Sequence, residues 1–147
     1  MKTVLAFGCF DILHYGHLQY LRKAKGFGDR LIVVVARDAT IRKVKGREPV
    51  FDEAARREIV KSLGIVDDAV LGHAGGKGKY EIVRDLRPDV IALGYDQPEE
   101  DARLRKWLDG NGMAKVKVVR IRHVENAEVY KSSRALDKLR RCVVREI

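Results

Sequence analysis

Cysteine is scarce in this 147-residue chain: Cys9 and Cys142 are the only two, and they lie far apart. They make no CxxC pair, so the sequence offers neither a zinc-ligand spacing nor a disulfide framework. A reducing, cytoplasmic setting is the expectation. Long apolar runs are missing too. No segment approaches the roughly 18 consecutive apolar residues of a membrane span, and the N-terminus does not read as a signal peptide. Aromatic residues make up 7% and sit at core-like positions. They do not interleave with basic residues, which argues against a nucleic-acid-binding module. No GxGxxG fingerprint follows the first apolar run. Asn and Gln are limited to Gln19, Gln97, Asn111 and Asn126. With 35% charged residues, that balance resembles a thermophile's composition.

What is abundant is positive charge. Thirty Lys and Arg against 21 Asp and Glu leave +9, which favours an anionic ligand. Apolar residues at 46% suffice for one domain over 1–147. Apolar runs recur at Thr3–Phe7, Leu31–Ala36, Asp68–Gly72, Asp89–Gly94 and Lys115–Ile121. Runs apolar at nearly every position suit strands buried on both faces of a parallel sheet. "KVKVVRI" at Lys115–Ile121 alternates, as an edge strand does. Helical patterns fall between them at His17–Phe27, Asp52–Leu63, Tyr80–Leu86, Glu99–Leu108 and Ser132–Cys142. In the last, Leu136 and Leu139 are expected to face inward. Alternating strand and helix predict an α/β fold with right-handed crossovers. Ligands of such folds bind at the carboxyl ends of the strands. The loops of interest are therefore Gly8–Tyr15, Arg37–Pro49, Gly72–Lys79, Gly94–Pro98 and Arg122–Lys131.

The first of these loops carries "GCFDILHYGH". A helix N-terminus presents unpaired N–H groups and the positive end of its dipole, so it attracts anions. His14 and His17 are spaced to place both imidazoles there, and Gly16 lets a ligand approach the backbone. Each ring can donate an N–H to a phosphate oxygen. The competing reading makes one histidine a cap and the other a satisfied core residue. A pair flanking a glycine after a strand favours the phosphate cradle. "HAGGKGKY", by contrast, only imitates a P-loop: His73 and Tyr80 fail both ends of the pattern.

"GCFDILHYGH" resembles the [GT]-x-F-D-x-x-H-x-G-H signature of the HxGH nucleotidyltransferase superfamily, the cytidylyltransferase-like proteins. "FGDRLIVVVARD", "DEAARREIVKSL", "RPDVIALGYDQ" and "SSRAL" extend the likeness along nearly the whole chain, toward the archaeal FAD synthase subgroup. The resemblance implies a Rossmann-like open parallel five-stranded sheet with helices on both faces. It implies transfer of AMP from ATP to FMN, giving FAD and pyrophosphate, with a divalent metal, Mg²⁺, neutralising the triphosphate. A homodimer is also implied. The alternative is a cytidylyltransferase that uses CTP and glycerol 3-phosphate. Gln97 stands where the glycerol-phosphate cytidylyltransferases usually carry tryptophan, which argues against it.

The likeness also implies roles. His14 and His17 would be catalytic, stabilising charge on phosphoryl oxygens; one preorganised donor of this kind contributes ~3 kcal/mol. Cys9, Phe10, Tyr15, Gly16, Asp96, His123, Ser132 and Ser133 would line the nucleotide site with the histidine pair. Cys9 occupies a position where the family often has threonine; the preferred reading is a small buried hydrophobe, the other a reactive thiolate. Asp11 holds the loop through backbone N–H bonds or binds metal, the former preferred. Lys43 and Lys45, within the basic run Arg42–Arg47, contact phosphate or form a solvated loop. Arg56 matches a family arginine that faces the site, or is a surface helix residue. His123 borders the base or sits in an exposed loop. No residue pattern points to a particular metal ligand.

Overall fold

The computed structural model describes residues 1–74, 78, 80–94, 100–122 and 131–145. Among these, five strands form one sheet: β1 (Thr3–Gly8), β2 (Arg30–Val35), β3 (Asp68–Leu71), β4 (Val90–Leu93) and β5 (Lys117–Arg120). The helices are α1 (Tyr15–Lys25), α2 (Asp38–Lys45), α3 (Glu53–Lys61), α4 (Glu81–Leu86), α5 (Glu100–Gly110) and α6 (Ser132–Arg145). The strand order is β3-β2-β1-β4-β5, and every pairing is parallel. This is the α/β sheet expected from the alternating runs, in the Rossmann-like form that the resemblance implied, with "KVKVVRI" contributing the edge strand β5.

The unbroken apolar run of β2 follows from burial on both sides. Successive side chains of a strand point to opposite faces. On one face Val4, Ala6, Val33 and Val35 pack with Tyr20, Leu21 and Ala24 of α1 and Val60 of α3. On the other, Leu5, Phe7, Ile32 and Ile91 pack with Ile82 and Val83 of α4 and Leu104 and Leu108 of α5. At the N-terminal edge of the sheet, carboxylates satisfy the leading N–H groups. Asp29 accepts from Lys2 N, Asp89 from Thr3 N and Asp67 from Leu31 N. That edge is thereby closed with acidic groups, and the opposite edge is left for a ligand.

Two expectations are corrected. The loop expected over Arg37–Pro49 contains α2, whose one buried residue is Ile41. A helix touching the core through a single apolar side chain has no periodic pattern to read. Gly46, at φ +64°, ends it in the left-handed conformation that favours glycine. In α6, Leu139 is 59% exposed and so does not face inward, whereas Leu136 is half-buried. No helix among the described residues is long and apolar enough to cross a membrane.

Candidate active site

The order of strands reverses between β1 and β4, so a crevice opens beyond their carboxyl ends at Gly8 and Leu93. Tyr20 of α1 fixes this junction. Its buried hydroxyl donates to Ala92 O at 2.7 Å and accepts from Phe7 N at 3.4 Å. The chain leaves β1 through Phe10, at φ +51°, a strained value for a residue with a Cβ. The turn folds the phenyl ring back over the strand end, where a Cβ on Gly8 would lie 2.6 Å from it. The buried Phe10 ring then meets His17 edge-on, with centroids 5.1 Å apart. Phe10 thus backs the histidine with its side chain.

His14 is the N-cap of α1, and His17 sits at its third helical position. Gly16 N donates to His14 Nδ1 at 3.1 Å, and His14 N donates to His17 Nδ1 at 3.2 Å. This is a capping box built from two imidazoles. Its chemical consequence is a fixed tautomer. Both Nδ1 atoms act as acceptors, so each neutral ring carries its proton on Nε2. The rings stack with centroids 3.7 Å apart and planes 23° from parallel. Rings this close bring two Nε2–H donors within the span of one phosphate group. Burial, then the neighbouring His14 and Lys45, push the His17 pKa down to about 3. His17 is therefore neutral at physiological pH and acts as a donor dipole. Both histidines cap the helix start through Nδ1, so the capping reading holds for the pair.

Asp11 and Arg56 hold this loop in place. Asp11, buried, accepts from Val50 N at 2.9 Å, Phe51 N at 3.0 Å and Arg47 Nη1 at 2.9 Å. Burial raises its pKa, but these donors outweigh that and hold it below the usual carboxylate range. Asp11 is thus a loop anchor. Arg56 is fully buried, so it neither faces an open site nor lies on the surface. Its guanidinium donates to Cys9 O at 2.8 Å, Ala36 O at 2.6 Å, Phe51 O at 2.9 Å and Asp38 Oδ1 at 2.7 Å. The expected phosphate contact is replaced by a knot joining the segments after β1, β2 and α2. Asp38 and Tyr20 went unrecognised in the sequence because their partners lie 18 and 72 residues away.

The basic run divides. Arg42 pairs with Glu48 and Arg47 with Asp11. Lys45 is exposed, and its charge reaches His17. Lys43 is exposed on the same helix. Tyr15 is exposed, Gly16 buried and Cys9 half-buried. Ser132 opens α6 and Ser133 is exposed in its first turn. Asp96, Gln97 and His123 lie outside the described residues. His73 of the P-loop imitation bonds Asp85 at 2.8 Å, in a separate hollow of about 350 Å³ lined also by Gly78, Glu81 and Arg84.

No three His, Cys, Asp or Glu side chains among the described residues gather as a metal site. Asp11, the carboxylate closest in sequence to the histidines, has its oxygens committed to Val50, Phe51 and Arg47. Among the described residues, that leaves no carboxylate cluster beside the pair to hold a metal ion.

Known proteins share this architecture. A family model described as cytidylyltransferase-like matches residues 5–138. An FAD synthase of Thermoplasma volcanium is 47% identical over 121 residues, 82% of each chain. An FAD synthase of Aciduliprofundum boonei is 42% identical over 139 residues, covering 95% of this chain and 91% of its own. A solved structure from Thermoplasma volcanium, described as a lipopolysaccharide core biosynthesis protein, is 45% identical. It superposes with a TM-score of 0.78 over 85% of this chain and 99% of its own. At 16% identity, the pantothenate synthetase of Thermus thermophilus shares the fold, with a TM-score of 0.61 over 92% of this chain and 61% of its own. The matched span contains the histidine capping box and the strand junction beneath it, and the chain belongs to the cytidylyltransferase-like family.

Proposed function

We propose that this chain is an FAD synthase, a nucleotidyltransferase that moves AMP from ATP to FMN and releases pyrophosphate. The observation that carries the chemistry is the stacked His14–His17 pair with both Nδ1 atoms tied to backbone N–H groups. The choice of FMN and ATP rests on the relatives named FAD synthase.

A phosphate monoester is largely dianionic at neutral pH, since its second pKa is about 6. An oxygen of the FMN phosphate therefore attacks the α-phosphorus of ATP without a general base. The new P–O bond forms as the bond to the bridging oxygen breaks, and pyrophosphate leaves with the electron pair. Charge grows on the phosphoryl oxygens during this exchange. Two Nε2–H groups held in one orientation stabilise it without reorganising. The N-terminus of α1 adds its dipole. Lys45 and Lys43 supply positive charge toward the phosphates from α2, and Ser132 and Ser133 supply donors from the start of α6. Cys9, Tyr15 and Gly16 border the nucleotide from the histidine loop. Asp96 and His123 are assigned to the ribose and base from the sequence pattern. A divalent cation, Mg²⁺, enters as part of the metal–ATP substrate. The enzyme is expected in the cytoplasm as a homodimer, which a light-scattering mass measurement tests.

The deciding experiment crosses ATP and CTP with FMN and glycerol 3-phosphate and follows pyrophosphate release. FAD formed from ATP and FMN supports the reading. Failure of that pair to react, with turnover of CTP and glycerol 3-phosphate, overturns it.

A further inference from the structure

Two apolar side chains stand exposed on the segment that Asp11 and Arg56 secure: Val50 at 51% and Phe51 at 44%. Their backbone is held at three points. Val50 N and Phe51 N donate to Asp11, and Phe51 O accepts from Arg56 Nε. Asp11 lies on the loop that carries His14, and Arg56 also binds Cys9 O. The same two buried charges therefore fix the histidine loop and the Val50–Phe51 step relative to each other. Desolvating charges is costly, and here it holds apolar side chains out in water. Tyr15, beside His14, adds a second exposed aromatic ring at 44%.

We infer that Phe51, with Val50 beside it, is the platform on which the planar ring system of the acceptor lies, a reading that rests on the FAD synthase assignment. The acceptor has two unlike ends. Its phosphate must reach the imidazole pair, and its large flat ring must lie elsewhere, one polyol chain away. A phenylalanine whose backbone is tied to the anchors of the histidine loop fits that requirement, because stacking needs a π surface and no charge. The triphosphate has no such need, and the lysines of α2 answer it instead. The platform is thus a specificity element for flavin phosphates over small alcohol phosphates.

The test compares wild type with Phe51→Ala and Phe51→Leu, and with Phe27→Ser as a control. Phe27 is a similarly exposed phenylalanine just beyond α1, before β2, at the opposite edge of the sheet. Phe51→Ala is expected to raise KM for FMN about tenfold or more, as loss of an aromatic stacking partner does. KM for ATP should change less than about twofold, and Phe51→Leu should fall between. A Phe51→Trp variant should quench flavin fluorescence on titration with FMN more deeply than wild type does, and this reads binding without turnover. Unchanged KM for FMN in a folded Phe51→Ala protein would overturn the platform. So would an equal rise in KM for ATP, which would place adenine there. Loss of a dimer with unchanged KM would assign the patch to a second copy of the chain. Should the alanine variant fail to fold, Phe51→Leu and the tryptophan titration decide. A wild type that cannot convert FMN and ATP sinks the functional reading itself. A wild type that does, matched by Phe51→Ala, sinks only the platform.

Discussion

Arg56 Nη2 donates to Asp38 Oδ1 at 2.7 Å while no part of the arginine side chain meets solvent. A charge so buried is tolerable only because every direction it points offers an acceptor. Arg56→Met should therefore strand the Asp38 carboxylate and three carbonyls at once. Loss of one partner of a buried pair typically costs about 3–5 kcal/mol. Urea unfolding should show that loss, and Arg56→Lys should not restore it, since an ammonium cannot fork to separate loops. A variant as stable as wild type would refute the knot.

The capping box allows structure and chemistry to be separated at His14. Asn is a good N-cap, so His14→Asn keeps an acceptor for Gly16 N but removes the Nε2–H donor. Its unfolding free energy should stay within about 1 kcal/mol of wild type, with kcat down by roughly a hundredfold or more. His14→Ala should lose the same activity and a further ~1 kcal/mol of stability. If His14→Asn retains full kcat, the imidazole is only a cap.

His17 sets an acid limit on stability. Its pKa is depressed to about 3 in the folded protein, against 6.5 when unperturbed. The unfolded chain thus binds a proton that the folded one refuses. The stability contribution is complete above pH 6.5 and declines as pH falls toward 3. The slope is at most about 1.4 kcal/mol per pH unit. Gln is a normal third residue of a capping box, so His17→Gln should fold and show a shallower loss over that range. Chemical denaturation at a series of pH values measures the difference; parallel curves would place the His17 pKa near its ordinary value.

Gly8 has no room for a methyl group. A Cβ there would lie 2.6 Å from the Phe10 ring, which in turn backs His17. Gly8→Ala should cost about 1–3 kcal/mol by overpacking. It should also lower kcat, because the shifted ring no longer supports the imidazole. Normal activity with full stability would show that Phe10 can move aside freely.

Lys45 reaches His17 electrostatically from α2. Lys45→Ala should reduce kcat/KM for ATP by about tenfold and flatten its dependence on salt. A Lys43→Ala protein provides the comparison on the same helix. Equal, negligible effects would return the pair to the solvated surface.

The histidine pair was legible in the linear chain because its geometry is local. Three residues separate His14 from His17, and a helix start brings such positions together without help from the rest of the fold. The strands were legible for a similar reason, since burial on both faces writes an uninterrupted apolar run such as "LIVVV". Other features had no local signature. The helix α2 contributes only Ile41 to the core, and Leu139 carries an apolar side chain on an exposed position. Arg56 reads as an ordinary helix arginine until folding brings Cys9, Ala36 and Asp38 around it from 47, 20 and 18 residues away. Asp11 is similarly ambiguous until Val50 and Phe51 arrive across 39 and 40 residues. Fold class and the histidine capping box are thus properties of neighbours along the chain. Whether a charge contacts substrate or holds a loop depends on which distant acceptors surround it, and only the packed chain brings those acceptors near.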